Sequence, residues 1–477
     1  MRNRETMRMV WAAFAGLLLL PAGWSQTDWP VFGHDAGAMR YSPLDQINTK
    51  SVKQLKLAWT FDIEAPMPAN AVIPAFLRPP QVGPGEAAQA PGQPPAASAR
   101  RPRARRSETA PLVVGDVMYL STAYNRVLAL EPETGKKIWE YESPHTPALR
   151  GIAYWPGNGS LPPQIVFGTS DGFLVSLNAN TGKPVAGFGD EGTINLRTGV
   201  NGDKFPKRFY GMSSPPAIYR NLVITGSNTG EMPAHGPWGD VRAWDMRNGK
   251  LVWTFHTIPR PGEPHHEDWH DDQWQDRSGA NSWGIITVDA QRGMIFLPVG
   301  TPTTDFYGGD RLGSNLYGSS VVALDAATGK VKWYFQTTHH DNWDYDPTAA
   351  PALITVKRNG KTIPAVAQIT KQGLLFILNR DTGKPIFGVE ERPVVSDNTI
   401  PGDEPWPTQP FPLKPPPLSR NTFSPDEIAK VTPEHEKYCE DLLAREGGAL
   451  TGGPFAQYGP KLRVIFPSWT GGPNWGG

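Results

Sequence analysis

The densest group of reactive side chains is His339-His-Asp-Asn-Trp-Asp-Tyr-Asp346, which follows directly on the apolar run Lys332-Trp-Tyr-Phe-Gln336. Aspartates packed among aromatic rings at the end of a strand lose hydration, which disfavours their charged form, and a carboxylate of raised pKa suits a general base. The same residues also read as a polar turn whose aspartates cap backbone amides. A second group, His266-Glu-Asp-Trp-His270, has the H-E-x-x-H spelling of zinc proteases, which depends on a helix putting both histidines on one face. Pro259, Pro261, Gly262 and Pro264 precede it, and Asp268, Asp271 and Asp272 crowd it, so no such helix is expected. It reads instead as a polar loop over a site, with His265, His266 and His270 at the mouth. A lone cysteine, Cys439, rules out an intramolecular disulfide, a Cys-rich zinc site and a C-x-x-C-H haem attachment. If the chain moves electrons, it does so without iron held in those ways.

These groups must be positioned by a repeated element. The segments Val127–Lys136, Leu174–Lys183, Val241–Lys250, Val321–Lys330 and Leu375–Lys384 each run from an apolar strand pattern into Thr-Gly-Lys or Asn-Gly-Lys. Each reads as a strand, a turn whose glycine takes positive φ, and a second strand. In three copies an aromatic follows the glycine at a fixed distance, as Trp139, Trp253 and Trp333, placed to dock on a neighbouring sheet. The copies recur at roughly 60 residues, the period of a β-propeller blade, whereas the repeats of a parallel β-helix are much shorter. The predicted fold class is therefore all-β, a propeller with Trp-docking repeats. The 50 glycines, 50 prolines and 17 tryptophans among 477 residues suit many short strands joined by turns. Basic and acidic side chains number 46 each, so nothing in the overall charge provides for a nucleic-acid partner.

Residues 1–25 have the form of a cleavable secretory signal. Arg2, Arg4 and Arg8 precede the apolar run Val10–Leu20, and Gly23 and Ser25 stand at the cleavage spacing. That run is shorter than the roughly 20 residues a bilayer requires, so no transmembrane domain is expected. The mature domain is then 26–477 and periplasmic. Residues 78–106 are rich in proline and alanine and end in Arg100-Arg-Pro-Arg-Ala-Arg-Arg106. They read as a disordered insertion whose arginines are solvated or meet an anionic partner. A second irregular stretch, about 391–465, is predicted to contain one helix near Ser424–Glu446, with Ser424 as N-cap.

Several segments taken together resemble a known family. They are Arg150-Gly-Ile-Ala-Tyr154, Gly279-Ala-Asn-Ser-Trp283, His339–Asp346 with Ile369-Thr-Lys-Gln-Gly373, Thr408-Gln-Pro-Phe-Pro412 and Gly471-Gly-Pro-Asn-Trp-Gly476. With the Trp-docking repeats, this ordered set is similar to the pyrroloquinoline quinone (PQQ)-dependent dehydrogenases, most of all to their glucose and polyol branch. The resemblance implies an eight-bladed propeller with PQQ in a central funnel beside a divalent cation, usually Ca2+. It implies that Asp344 is the catalytic base and that Lys371 contacts the quinone oxygens. Trp283 would be the floor on which the cofactor stacks, Arg150 the partner of a PQQ carboxylate, and Asn474 a further cofactor contact. Glu231, in Gly226-Ser-Asn-Thr-Gly-Glu231, together with Asp344 would hold the metal. The cation and Lys371 would stabilise negative charge developing on the quinone while Asp344 takes the substrate hydroxyl proton.

The departures from the family pattern matter too. Ala148-Leu149 stand where many alcohol-oxidising relatives carry adjacent cysteines, and Gly300-Thr301 where a metal-binding asparagine is usual, leaving Thr301 as the oxygen available for the metal. Eight blades at the observed period exceed 477 residues, so six blades and the opening of a seventh are expected. The function expected is base-assisted oxidation of a small sugar, polyol or alcohol, with electrons passing to a separate ubiquinone or cytochrome c. The alternative is a non-catalytic propeller scaffold of the outer-membrane assembly type.

Overall fold

In the computed structural model the repeats supply the third strand, and in most cases the fourth, of successive antiparallel sheets. The structure describes residues 28–63, 107–396, 400–445, 448, 453–459, 461–468 and 470–474. The signal segment 1–25, the insertion 78–106 and Trp475 lie outside these.

The first sheet is β1 (Leu112–Val114), β2 (Val117–Ser121), β3 (Arg126–Leu130) and β4 (Lys137–Glu142). The second is β5 (Ala153–Trp155), β6 (Gln164–Gly168), β7 (Phe173–Asn178) and β8 (Thr193–Asn195). A ribbon of β9 (Tyr210–Gly211) and β12 (Asn228–Thr229) flanks the third sheet, which is β10 (Ala217–Tyr219), β11 (Leu222–Thr225), β13 (Val241–Asp245) and β14 (Leu251–Phe255). The fourth is β15 (Thr287–Asp289), β16 (Met294–Val299), β17 (Ser320–Asp325) and β18 (Val331–Gln336). A three-stranded sheet of β19 (Ala352–Arg358), β20 (Lys361–Ile369) and β21 (Leu375–Asn379) follows, then a ribbon of β22 (Val389–Pro393) and β23 (Thr408–Pro412).

First strands of successive sheets, β5, β10, β15 and β19, pack against one another, as the inner strands of propeller blades do. The third strands β3 and β13 are buried along their whole length, being covered on both faces, whereas β4, β14 and β18 on the outer edge bury only one or two positions each. The segment Trp29–Gly37 laces sheets together. Trp29 bridges Val113 of β1, the Ala36 carbonyl accepts from Val288 N–H at 2.8 Å, and the Gly37 carbonyl accepts from Leu353 N–H at 2.8 Å.

The repeat residues hold the sheets in sequence order. Trp253, four residues past Gly249 and at the end of its own repeat, lies over Gly329 of the next one, and its indole N–H donates to the Ala326 carbonyl at 3.2 Å. Gly329 has φ +71°, and a Cβ there would stand 2.6 Å from the indole, so both conformation and space require glycine. Trp59, Trp139 and Trp333 dock in the same way over Gly135, Gly182 and Gly383. The second repeat has no such tryptophan, and the backbone of Gly189 covers Gly249 instead. We predict that Trp139→Phe, which keeps the ring but strands the Ala179 carbonyl now bonded at 2.8 Å, destabilises the protein by about 1–2 kcal/mol in urea unfolding. No change in stability would show that shape alone holds the joint.

The described residues form four four-stranded sheets, one three-stranded sheet and separate ribbons; the longest repeat spacing holds loops such as 256–286 and 300–319. Two expectations are corrected. The predicted helix begins later: α1 is Pro433–Ala444, N-capped by Thr432, while Ser424 caps only the 3-10 turn Pro425–Glu427. Pro433 sets the start, because proline suits the first helical turn and disfavours helical backbone in the residue before it. The 266–270 motif forms a single 3-10 turn, His266–Asp268, as its prolines imply, but its histidines do not reach the central cavity; His265 lines a separate pocket beside Tyr317 and Tyr334. Among the described residues no helix is long and apolar enough to cross a membrane.

Candidate active site

In an antiparallel meander the first-to-second and third-to-fourth turns lie at one end of each sheet, and the second-to-third turns and crossings to the next sheet at the other. Arg150 lies on the β4–β5 crossing, Trp283 on β14–β15, and Asp344 and Asp346 on β18–β19. Thr301 and Asp305 lie on the β16–β17 connection and Lys371 on β20–β21. Glu231 follows β12, within the β11–β13 connection. All therefore emerge at one end, and they line one cavity of about 290 Å³ together with Asn474. The Thr-Gly-Lys turns are at the other end and contribute nothing to it.

The 339–346 loop divides the two roles its sequence allows. Asp341, fully buried, accepts hydrogen bonds from the Trp343 and Tyr345 amides, both at 2.9 Å, and from the Ser319 and Thr301 hydroxyls at 2.6 and 2.7 Å. It fixes the loop. Trp343 donates to the Ala456 carbonyl at 2.9 Å and Tyr345 to the Pro454 carbonyl at 2.6 Å, so the irregular C-terminal stretch props the loop from behind. Asp344, in left-handed backbone at φ 58°, is turned into the cavity. Lys371 Nζ lies 2.9 Å from Asp344 Oδ2 and 3.4 Å from Asp346 Oδ2, and donates to the Asp344 carbonyl at 2.6 Å. Asp346 also accepts from Trp283 Nε1 at 3.1 Å and from the Thr301 amide. Trp283 is gripped at its carbonyl by the Ser213 and Ser214 hydroxyls at 3.2 and 2.6 Å. The Arg150 guanidinium lies 5.2 Å from the Trp283 ring centre and pairs with Glu108 at 3.3 Å.

Charge is unevenly matched here. Burial, then the Asp346 charge, pushes Asp344 up to about 8 against the pull of Lys371. Burial works against the Asp346 carboxylate too, but Lys371 and the Thr301 amide outweigh it and hold Asp346 below its ordinary value. Burial also works against the Lys371 ammonium, and Asp346 and Asp344 more than compensate, raising it. Asp344 is thus the more basic of the two carboxylates that share one lysine, as a proton acceptor should be. Burial, then Asp344, pushes Asp305 up to about 9. The cavity holds more carboxylates than cations, an arrangement that attracts a positive ion.

A family model described as the PQQ glucose/ethanol/alcohol dehydrogenase β-propeller domain matches residues 29–477. The chain belongs to this PQQ-dependent dehydrogenase family. It is 32% identical over 464 residues to the glycerol dehydrogenase large subunit of Gluconobacter oxydans (strain 621H), covering 94% of this chain and 58% of that one. It is 32% identical over 480 residues to the quinate/shikimate dehydrogenase (quinone) of Acinetobacter baylyi, covering 94% and 54%. Among solved structures, the quinohemoprotein alcohol dehydrogenase from Comamonas testosteroni is 28% identical, with a TM-score of 0.60 over 80% of this chain and 52% of that one. The chain spans about half the length of these relatives.

The residues fit the family's cofactor, a planar quinone bearing carboxylates. Trp283 offers a flat face, Arg150 and Lys371 offer buried positive charge, and the surplus carboxylates call for a cation. Among the described residues no three His, Cys, Asp or Glu side chains gather closely enough to hold a metal by themselves. A cation would draw on Asp344 and Glu231 with neutral oxygens such as Asn281 Oδ1. Thr301 lines the cavity, but its hydroxyl hydrogen is given to Asp341. Asn474 accepts from the Thr348 hydroxyl at 2.7 Å. Sequence reasoning passed over Asp305, Asn281 and the separate role of Asp346. The position of Asp305 after the second strand of a repeat unit, matching that of Lys371, was the signal available.

Proposed function

We propose that this chain carries a PQQ-dependent dehydrogenase site that oxidises the CH–OH group of a sugar, polyol or alcohol. The observation that supports it most is the Asp344–Lys371 pair at 2.9 Å beside Trp283 and Arg150 in one cavity. When bound, PQQ supplies the two-electron acceptor. Asp344, raised by burial and by Asp346, accepts the proton of the substrate hydroxyl. Lys371, 4% exposed, presents a fixed positive charge where negative charge develops. Asp346 orients Lys371 and the Trp283 indole together, and Arg150 anchors a carboxylate of the cofactor. Calcium or another divalent cation neutralises the remaining acid cluster.

The leader form of residues 1–25 supports a periplasmic protein, and a separate quinone or cytochrome receives the electrons. Membership of the family favours this enzyme over the scaffold alternative. The test is to add PQQ and calcium to the purified chain with a dye acceptor and a panel of aldoses, polyols and simple alcohols. We expect quenching of protein fluorescence on cofactor binding and substrate-dependent dye reduction. Calcium at about 100 times its Kd should also stabilise the fold by about 2.7 kcal/mol. Neither quenching nor reduction with any substrate would overturn the proposal.

A further inference from the structure

One buried carboxylate in the cavity is left without a partner; Glu231, also unpaired among the described residues, is exposed. Asp344 has Lys371, Asp346 has Lys371, Trp283 and Thr301, and Asp341 has four donors. Asp305 is 6% exposed and lines the cavity, yet among the described residues no hydrogen bond or salt bridge reaches its carboxylate. A buried carboxylate is retained at such a position when something that enters the site completes it. Two kinds of visitor suit it, a cation or a hydroxyl group. The cation of the proposed reaction has Asp344, Glu231 and neutral oxygens such as Asn281 Oδ1 to draw on, which leaves Asp305 for a hydroxyl. The cavity also offers neutral hydrogen-bonding groups, with Asn228, Thr229 and Thr303 among its lining residues.

We propose that Asp305 is a specificity-determining residue, accepting a hydrogen bond from a substrate hydroxyl next to the one whose proton goes to Asp344, so that the site selects polyhydroxylated substrates over simple alcohols. This rests on the dehydrogenase reading given above. Asp305 and Asp344 line the same cavity of about 290 Å³, so one small molecule bound there can meet both carboxylates. A site that pairs a substrate hydroxyl discriminates strongly against the analogue without it, because its own buried acceptor is then left unpaired.

The test compares the holoenzyme, loaded with PQQ and calcium, with Asp305→Asn and Asp305→Glu. For each, kcat/KM is measured for glycerol, D-sorbitol and 1-butanol; where butanol is not turned over, its inhibition constant against glycerol gives the same comparison. The ratio of glycerol to butanol is expected to fall roughly 100-fold in Asp305→Asn and to recover in part in Asp305→Glu. Calcium affinity by calorimetry and PQQ binding by fluorescence quenching should match the wild type. An equal fall for all substrates would overturn the proposal, as would weakened calcium binding, which would make Asp305 a cation ligand. Absence of all turnover and of PQQ binding in the wild type would instead remove the dehydrogenase reading itself.

Discussion

Replacing Asp344 by asparagine should lower kcat by about 10³-fold in the PQQ- and calcium-loaded protein, within the range that a positioned general base contributes. The substitution keeps the size of the side chain and its hydrogen-bonding capacity toward Lys371, but it removes the basic oxygen. Because Asp341, not Asp344, holds the loop amides and the Ser319 and Thr301 hydroxyls, the fold around the cavity should be undisturbed. Dye reduction gives the rate, and fluorescence quenching shows whether PQQ remains bound. Loss of quenching along with activity would mean that Asp344 holds the cofactor assembly and that its role as base is wrong.

Lys371→Met should be strongly destabilising. Lys371 is 4% exposed and is the one cation within ion-pair distance of both Asp344 and Asp346 among the described residues. Methionine fills similar space but leaves two buried carboxylates facing each other, and breaking a buried pair in this way costs about 3–5 kcal/mol. Equilibrium urea unfolding measures it. A loss below about 1 kcal/mol would show that water already screens the pair. The damage should reach Trp283 as well, since Asp346 ties the indole and the lysine to one carboxylate. Gly471 packs on Lys371 so closely that a Cβ there would stand 2.5 Å from the lysine Cβ; the lysine stem is fixed from that side too.

The repeats were readable because they are local. A strand, a glycine turn and a tryptophan at fixed spacing state both the strand–turn unit and its docking, and Trp253 over Gly329 shows the two signals meeting across consecutive units. The number of sheets was less readable, because a long spacing looks the same whether strands or loops fill it. The helix boundary was misjudged for a similar reason: Ser424 and Thr432 are both acceptable caps, and only Pro433 separates them.

The sequence by itself determined the fold class and the family resemblance, and through that resemblance part of the set of residues that meet, because alternation, turn chemistry and motif order are written in adjacent positions. The tertiary structure alone decided what each member of the acid cluster does. Asp341, Asp344 and Asp346 sit within one short segment with similar sequence surroundings, yet one binds loop amides, one faces the cavity and one bridges Lys371 to Trp283. Asp305, some 40 residues from Asp344 in the chain, shares their cavity only because second-to-third connections and sheet crossings open at the same end. Partners and burial are set by distances across the fold, and these fix a carboxylate's basicity.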